Sequence, residues 1–219
     1  MGAIYLPPPD TGLDIIHADE HLLLVNKPAG LLSVPGRGPE KQDCLISRVQ
    51  REYPAALTVH RLDMSTSGLM VLALGKAMER ELSILFQQRK VHKRYTAVVS
   101  GKPEQGSGEI DLPLITDWPN RPRQIVSYEH GKPSQTRYRV LEYNAEHNTS
   151  RVELEPLTGR THQLRVHMMS LGHAILGDEF YASPEAFAQA ERLLLHAATL
   201  GFTHPVTGKA LQFNSPAMF

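Results

Sequence analysis

Residues 136–156, TRYRVLEYNAEHNTSRVELEP, constrain the fold more than any other stretch. They read as a hairpin of two extended limbs. In the return limb Val152 and Leu154 alternate with Glu153 and Glu155. Successive side chains on a strand point to opposite faces, so this alternation specifies an antiparallel strand with one face in a core and the other in water. Two further segments repeat the theme. LDIIHADEHLLLVNKPAGLL, residues 13–32, reads as two strands joined at Ala18–His21 and closed by a Pro-Gly turn at Lys27–Gly30. LLHAATLGFTHPVTGKALQF, residues 194–213, reads as a final strand pair around Pro205–Gly208.

Leu69–Leu74 is a continuous apolar run, expected as a buried strand, and HKRYTAVVSG is a further strand. Helical spacing appears in CLISRVQREY, with Pro54 as its expected end, and in KAMERELSILFQQRK, with Met78, Leu82, Leu85 and Phe86 on one side. It recurs in THQLRVHMMSLG, where Leu164, His167, Met168 and Leu171 share a face and Gly172 is the expected C-cap. Ser183-Pro184 starts a fourth helix as N-cap and first helical residue. Strands and helices do not alternate regularly. The expected class is therefore α+β with a mixed, mostly antiparallel sheet flanked by helices.

At 219 residues the chain buries roughly 70% of its unfolded surface and needs no covalent staple. Cys44 is the only cysteine, which excludes an intramolecular disulfide and fits a reducing compartment. The opening MGAIYLPPPD lacks the basic flank and apolar core of a signal peptide, and no apolar run approaches the ~20 residues of a membrane span. A soluble cytoplasmic protein is expected. Basic and acidic residues balance at 23 each, but they are unevenly placed. RKVHKR, residues 89–94, and PNRPRQIVSYEHGKPSQTRYR, residues 119–139, are basic; the intervening 104–117 segment is acidic. Such a bipolar surface offers one side to a polyanion.

The chain carries no phosphate-binding glycine loop, dinucleotide fingerprint, nucleophile elbow or metal-ligand spacing. What remains is a carboxylate and arginines. Asp63 lies between Leu62 and Met64, just before the buried Leu69–Leu74 run; Arg165 lies between Leu164 and Val166. A turn aspartate and a surface arginine are the plain alternatives. Opposite charges in apolar surroundings satisfy one another by pairing, and an aspartate held by a guanidinium stays ionised at neutral pH. Such a carboxylate serves as nucleophile or base. Tyr95, directly after the basic run, is either a core aromatic or a ring for stacking on a base.

HRLDMSTSGL at residues 60–69 closely resembles the signature of the RluA-type pseudouridine synthases. VNKPAGLL, KRYTAVV, GRTHQLRVHM and LLLHA resemble the family's other blocks in the family's order, over nearly the whole chain. The short form with DWPNRPRQ is similar to the family's dual-specificity members, which act on 23S rRNA and tRNA anticodon stem-loops. The resemblance implies the pseudouridine synthase catalytic fold, one catalytic domain over residues 1–219 with a central cleft, and no N-terminal S4 module. It implies isomerisation of uridine to pseudouridine with no cofactor and no metal. Asp63 would be the catalytic aspartate, Arg165 its partner and Tyr95 the ring against the uracil. A base inside a helix is out of reach, so the target must be flipped out; Arg61 is placed to fill the vacated stack. The further RNA contacts expected are His60, Lys93, Arg94, Arg121, Arg123 and Arg160. Lys27 is read as structural or phosphate-facing. A monomer is expected. A non-catalytic RNA-binding module gains nothing from a carboxylate beside phosphates, and an RNA N-glycosidase needs a second acid that the matched blocks lack.

Overall fold

Each apolar pattern becomes an element that buries it. In the computed structural model, which describes residues 5–219, the order is β1 (Ile15–Ala18), β2 (Leu22–Lys27), α1 (Leu45–Gln50), β3 (Ala56–Thr58), β4 (Ser67–Leu74), α2 (Lys76–Gln87), β5 (His92–Ser100), β6 (Ser107–Asp111), β7 (Leu114–Thr116), β8 (Gln124–Val126), β9 (Gln135–Asn144), β10 (Thr149–Pro156), α3 (Gln163–Ser170), α4 (Pro184–Ala188), β11 (Leu195–Thr203) and β12 (Ala210–Asn214). The class is α+β. Two compact units divide the chain: one runs to His92 and includes Ala197–Met218; the other is Lys93–His196 with Phe219.

In the first unit β4 is the central strand, because its run is apolar on both faces. It pairs with β2 from Leu22↔Ala73 to Lys27↔Gly68, and with β3 over Leu72–Leu74. β11 follows β4 in the strand order, and β12 pairs with β11. Leu22, Leu24, Leu69, Val71 and Ala73 meet Met78 and Leu82 of α2 and Leu200 and Phe202 of β11 in one core. Each large aliphatic side chain buried there contributes roughly 1.5–3 kcal/mol. Gly68 has φ +115°, and a Cβ on it would run into the backbone of Ala197, so only glycine lets β4 lie this close to β11.

α1 ends at Gln50, short of Pro54. The Arg51 and Glu52 N–H groups reach the carbonyls of Arg48 and Val49, three residues back, in a tightened last turn, and the Tyr53 N–H bonds the Val49 carbonyl at 2.8 Å directly before Pro54.

The second unit holds the antiparallel order β5-β10-β9-β6. Val152 and Leu154 face its core with Ala97, Val99, Leu164, Met168 and Ile175, as the alternation in the hairpin requires. β7 and β8 form a separate two-stranded ribbon. α3 departs from the expected amphipathic helix. Gln163, Arg165 and His167 are buried along with Leu164, Val166 and Met168, while Leu171 is partly exposed. The helix buries polar side chains because each finds a partner inside. Gln163 donates to the Gln135 carbonyl and Thr136 Oγ1, and accepts from Thr158 Oγ1 and the Arg160 N–H. His167 bonds Thr136 and Leu112.

Candidate active site

The Asp63 loop connects β3 to β4 and is clamped on both sides of the aspartate. Ser33 takes the Leu62 peptide at both ends: its Oγ accepts the Leu62 N–H at 3.1 Å and donates to the Leu62 carbonyl at 2.7 Å. The Met64 carbonyl accepts the Gly30 N–H at 2.8 Å and Lys27 Nζ at 3.0 Å. The Asp63 carbonyl itself accepts the Thr66 N–H at 3.1 Å. The clamps come from one segment, Lys27–Ser33, whose turn uses φ +83° at Gly30. Leu62 is buried, Arg61 and Met64 are exposed, and Asp63 is half-buried between them. The backbone on either side of the carboxylate is thus fixed by the neighbouring peptides.

Lys27 is 1% exposed and so cannot face a phosphate. Its ammonium donates to the carbonyls of Pro28, Leu31 and Met64. Burial pushes its pKa down to about 7, against the opposing pull of the Asp63 charge. Lys27 is therefore a strut beneath the Asp63 loop.

In the second unit Arg165 is 2% exposed. Its Nε and one terminal nitrogen grip the buried carboxylate of Asp178 at 2.7 and 2.6 Å. Asp178 also accepts the backbone N–H groups of Phe180 and Tyr181, and the guanidinium lies 5.2 and 5.3 Å from those two rings. Planar guanidinium, carboxylate fork and aromatic faces together fix its orientation. His162, left-handed at the start of α3, stacks on Phe180 and bonds the Tyr181 hydroxyl at 2.7 Å; that hydroxyl accepts the Gln124 N–H at 2.8 Å. Asp178, Phe180 and Tyr181 escaped the sequence reading. The signal available was GDEFY, two acids followed by two aromatics.

Tyr95 pairs with Leu154 across β5 and β10 and packs half-buried against the second unit's core. His60 accepts the Val71 N–H at 3.0 Å and stacks on Phe86 at 4.5 Å, so its ring is engaged by the fold. Lys93 is half-buried and its pKa is lowered by burial. Arg94 lies 3.8 Å from Glu153, which Arg139 also bonds at 3.0 Å. Arg61, Arg121, Arg123 and Arg160 are exposed. No helix among the described residues is long and apolar enough to cross a membrane.

A family model described as RNA pseudouridylate synthase matches residues 21–170. The dual-specificity RNA pseudouridine synthase RluA of Escherichia coli K12 is 59% identical over 98% of each chain, and its counterpart in Pasteurella multocida is 53% identical over the same share. Among solved structures, human RNA pseudouridylate synthase domain containing 1 matches with TM-score 0.79 at 30% identity, covering 96% of this chain and 86% of its own.

Proposed function

The chain belongs to the RNA pseudouridylate synthase family, and from that premise we propose that it isomerises specific uridines in 23S rRNA and in tRNA anticodon stem-loops, with Asp63 as the catalytic carboxylate. The dual specificity named for the relatives supports action on more than one RNA. In the reaction the uracil N1–C1′ bond breaks, the base turns, and C5 bonds C1′. C5 gives up its proton and N1 takes one. Nothing is oxidised or reduced, so no cofactor is required. Asp63 acts on the flipped nucleotide as nucleophile at C1′ or on the uracil, or as base at the ribose. Arg165 pairs with that carboxylate and holds its charge in place. Tyr95 packs on the uracil ring. Arg61, exposed two residues before Asp63, enters the stack that the uridine leaves. Arg94, Arg121, Arg123 and Arg160, with Lys93 and His60, serve the RNA strand, and binding weakens with salt. The enzyme works as a monomeric single catalytic domain in the cytoplasm.

The observation that carries this reading is the two-sided clamp on the Asp63 backbone. A turn aspartate has no use for peptide neighbours pinned by Ser33, Gly30 and Lys27, whereas positioned chemistry does. Tritium release from RNA labelled at uridine C5 tests it. The wild-type protein releases tritium and Asp63→Asn releases none, with RNA affinity kept within about tenfold. Retained release in that variant overturns the assignment, and mapping pseudouridine in RNA from a deletion strain identifies the target nucleotides.

A further inference from the structure

The loop between β7 and β8, DWPNRPR, holds the chain's single tryptophan at a place where the fold makes little use of it. Trp118 is 65% exposed even though the Arg121 guanidinium stacks 4.8 Å from its ring centroid. The loop itself is built to stay in one shape. The Asp117 N–H donates to the Arg123 carbonyl at 3.0 Å, and the Arg123 N–H returns to Asn120 at 3.1 Å. The Asp117 carboxylate is occupied by the Asn120 amide at 2.9 Å. At its base the Gln124 N–H is tied to the Tyr181 hydroxyl, next to the Arg165–Asp178 pair. A large apolar ring held in water on a rigid support is a mark of a binding surface. Here the only acid in the loop is tied up, while Arg121 and Arg123 are exposed.

We propose that Trp118, backed by Arg121, is a stacking platform for an unpaired RNA base outside the target uridine. The proposal rests on the RNA-modifying reading above and deepens it. Every base has a π-face, so an exposed indole accepts any unpaired nucleotide, and the guanidinium beside it draws in the phosphate backbone. A duplex keeps its bases stacked on one another and has none to give. The platform therefore selects stem-loops by their single-stranded character and not by sequence, which suits an enzyme meeting more than one RNA.

Because Trp118 is the sole tryptophan, its emission reports the contact directly. The full chain is titrated with a short stem-loop RNA, with a blunt duplex of matched composition, and with heparin, which has charge but no bases. Binding is followed in parallel by filter retention. Saturable quenching by the stem-loop is expected, following the filter-binding curve, with little from duplex or heparin. Trp118→Ala is expected to weaken stem-loop binding by about tenfold, and Trp118→Phe to restore most of it. The side chain is exposed, and unchanged thermal midpoints confirm that both variants fold. Unchanged emission at saturating RNA, equal quenching by heparin, or affinity of Trp118→Ala within twofold of wild type overturns the platform. So does emission that changes with protein concentration alone, which marks a self-association surface. These readouts are separate from tritium release. An active enzyme with an indifferent Trp118 overturns the platform alone, and an inactive one with a quenched Trp118 overturns the catalytic reading alone.

Discussion

Ser33 and Leu62, 29 residues apart, are joined by two hydrogen bonds through one hydroxyl, which accepts from the Leu62 N–H and donates to its carbonyl. This places the first fixed point one residue before Asp63. Ser33→Ala leaves a buried N–H and a buried carbonyl without their partner, at a cost of about 1–3 kcal/mol. The larger effect is expected in turnover. A carboxylate displaced by a fraction of an ångström loses on the order of tenfold to a hundredfold in rate. Single-turnover tritium release should show kcat falling with little change in RNA affinity. Full turnover in a folded Ser33→Ala variant contradicts the clamp.

Lys27 supports the same loop from below, yet its loss is expected to act on stability more than on rate. The Met64 carbonyl keeps the Gly30 N–H when Lys27 is gone, so the second fixed point survives. Lys27→Met strips the Pro28 and Leu31 carbonyls of the ammonium, and a lower thermal midpoint follows, with kcat within about tenfold of wild type. The pH dependence carries a second signature. The folded pKa is about 7 against an ordinary value of 10.5. Between those limits the unfolded chain holds the proton and the folded chain does not. Stability therefore rises with pH across that window, by up to about 1.4 kcal/mol per unit, and the contribution levels off below the folded value. Urea midpoints across this range should show the slope in the wild type and its loss in Lys27→Met.

The strands were legible because their periodicity is a property of neighbouring residues: Val152 and Leu154 announce their face within four positions. Asp63 stood out as an acid among apolar neighbours, and the role proposed for it comes from the family resemblance. Asp178 was not, because a buried partner thirteen residues from Arg165 obeys no period and appears only once the loop after α3 folds back. Ser33 carried no signal in the sequence, since nothing in a serine's neighbours tells that its hydroxyl will meet a peptide 29 residues away. α3 misled for a related reason: periodicity sorts residues by polarity, and Gln163 is polar yet interior, while Leu171, assigned to the apolar face with His167, is exposed.

His167 gives that helix an acid limit. Its Nε2 faces the Leu112 carbonyl, which can only accept, so Nε2 carries the proton and Nδ1 accepts from Thr136 Oγ1. Burial lowers the pKa of the ring, with the Leu112 carbonyl and the Asp111 charge opposing. In the unfolded chain it titrates near 6.5. As pH falls below that value the unfolded state takes up the proton first, and stability drops by up to about 1.4 kcal/mol per unit until the lowered folded pKa is passed. His167→Gln should flatten the acid limb of the urea-midpoint profile relative to wild type. An unchanged limb contradicts the neutral assignment.

Arg165 and Asp178 separate structure from chemistry. The pair is buried on both sides, at 2% and 0% side-chain exposure, so removing one partner leaves the other charge uncompensated. Asp178→Leu is expected to cost about 3–5 kcal/mol and to lower activity with it. Replacing both charges with apolar residues of similar size, Arg165→Met with Asp178→Leu, removes the uncompensated charge and should recover most of that stability. Activity should not return, because the guanidinium that Asp178 holds in place is the group proposed to pair with Asp63. Thermal midpoint and tritium release are measured on Arg165→Met, Asp178→Leu and the double variant. A double variant that regains both stability and turnover would show that Arg165 serves the fold alone.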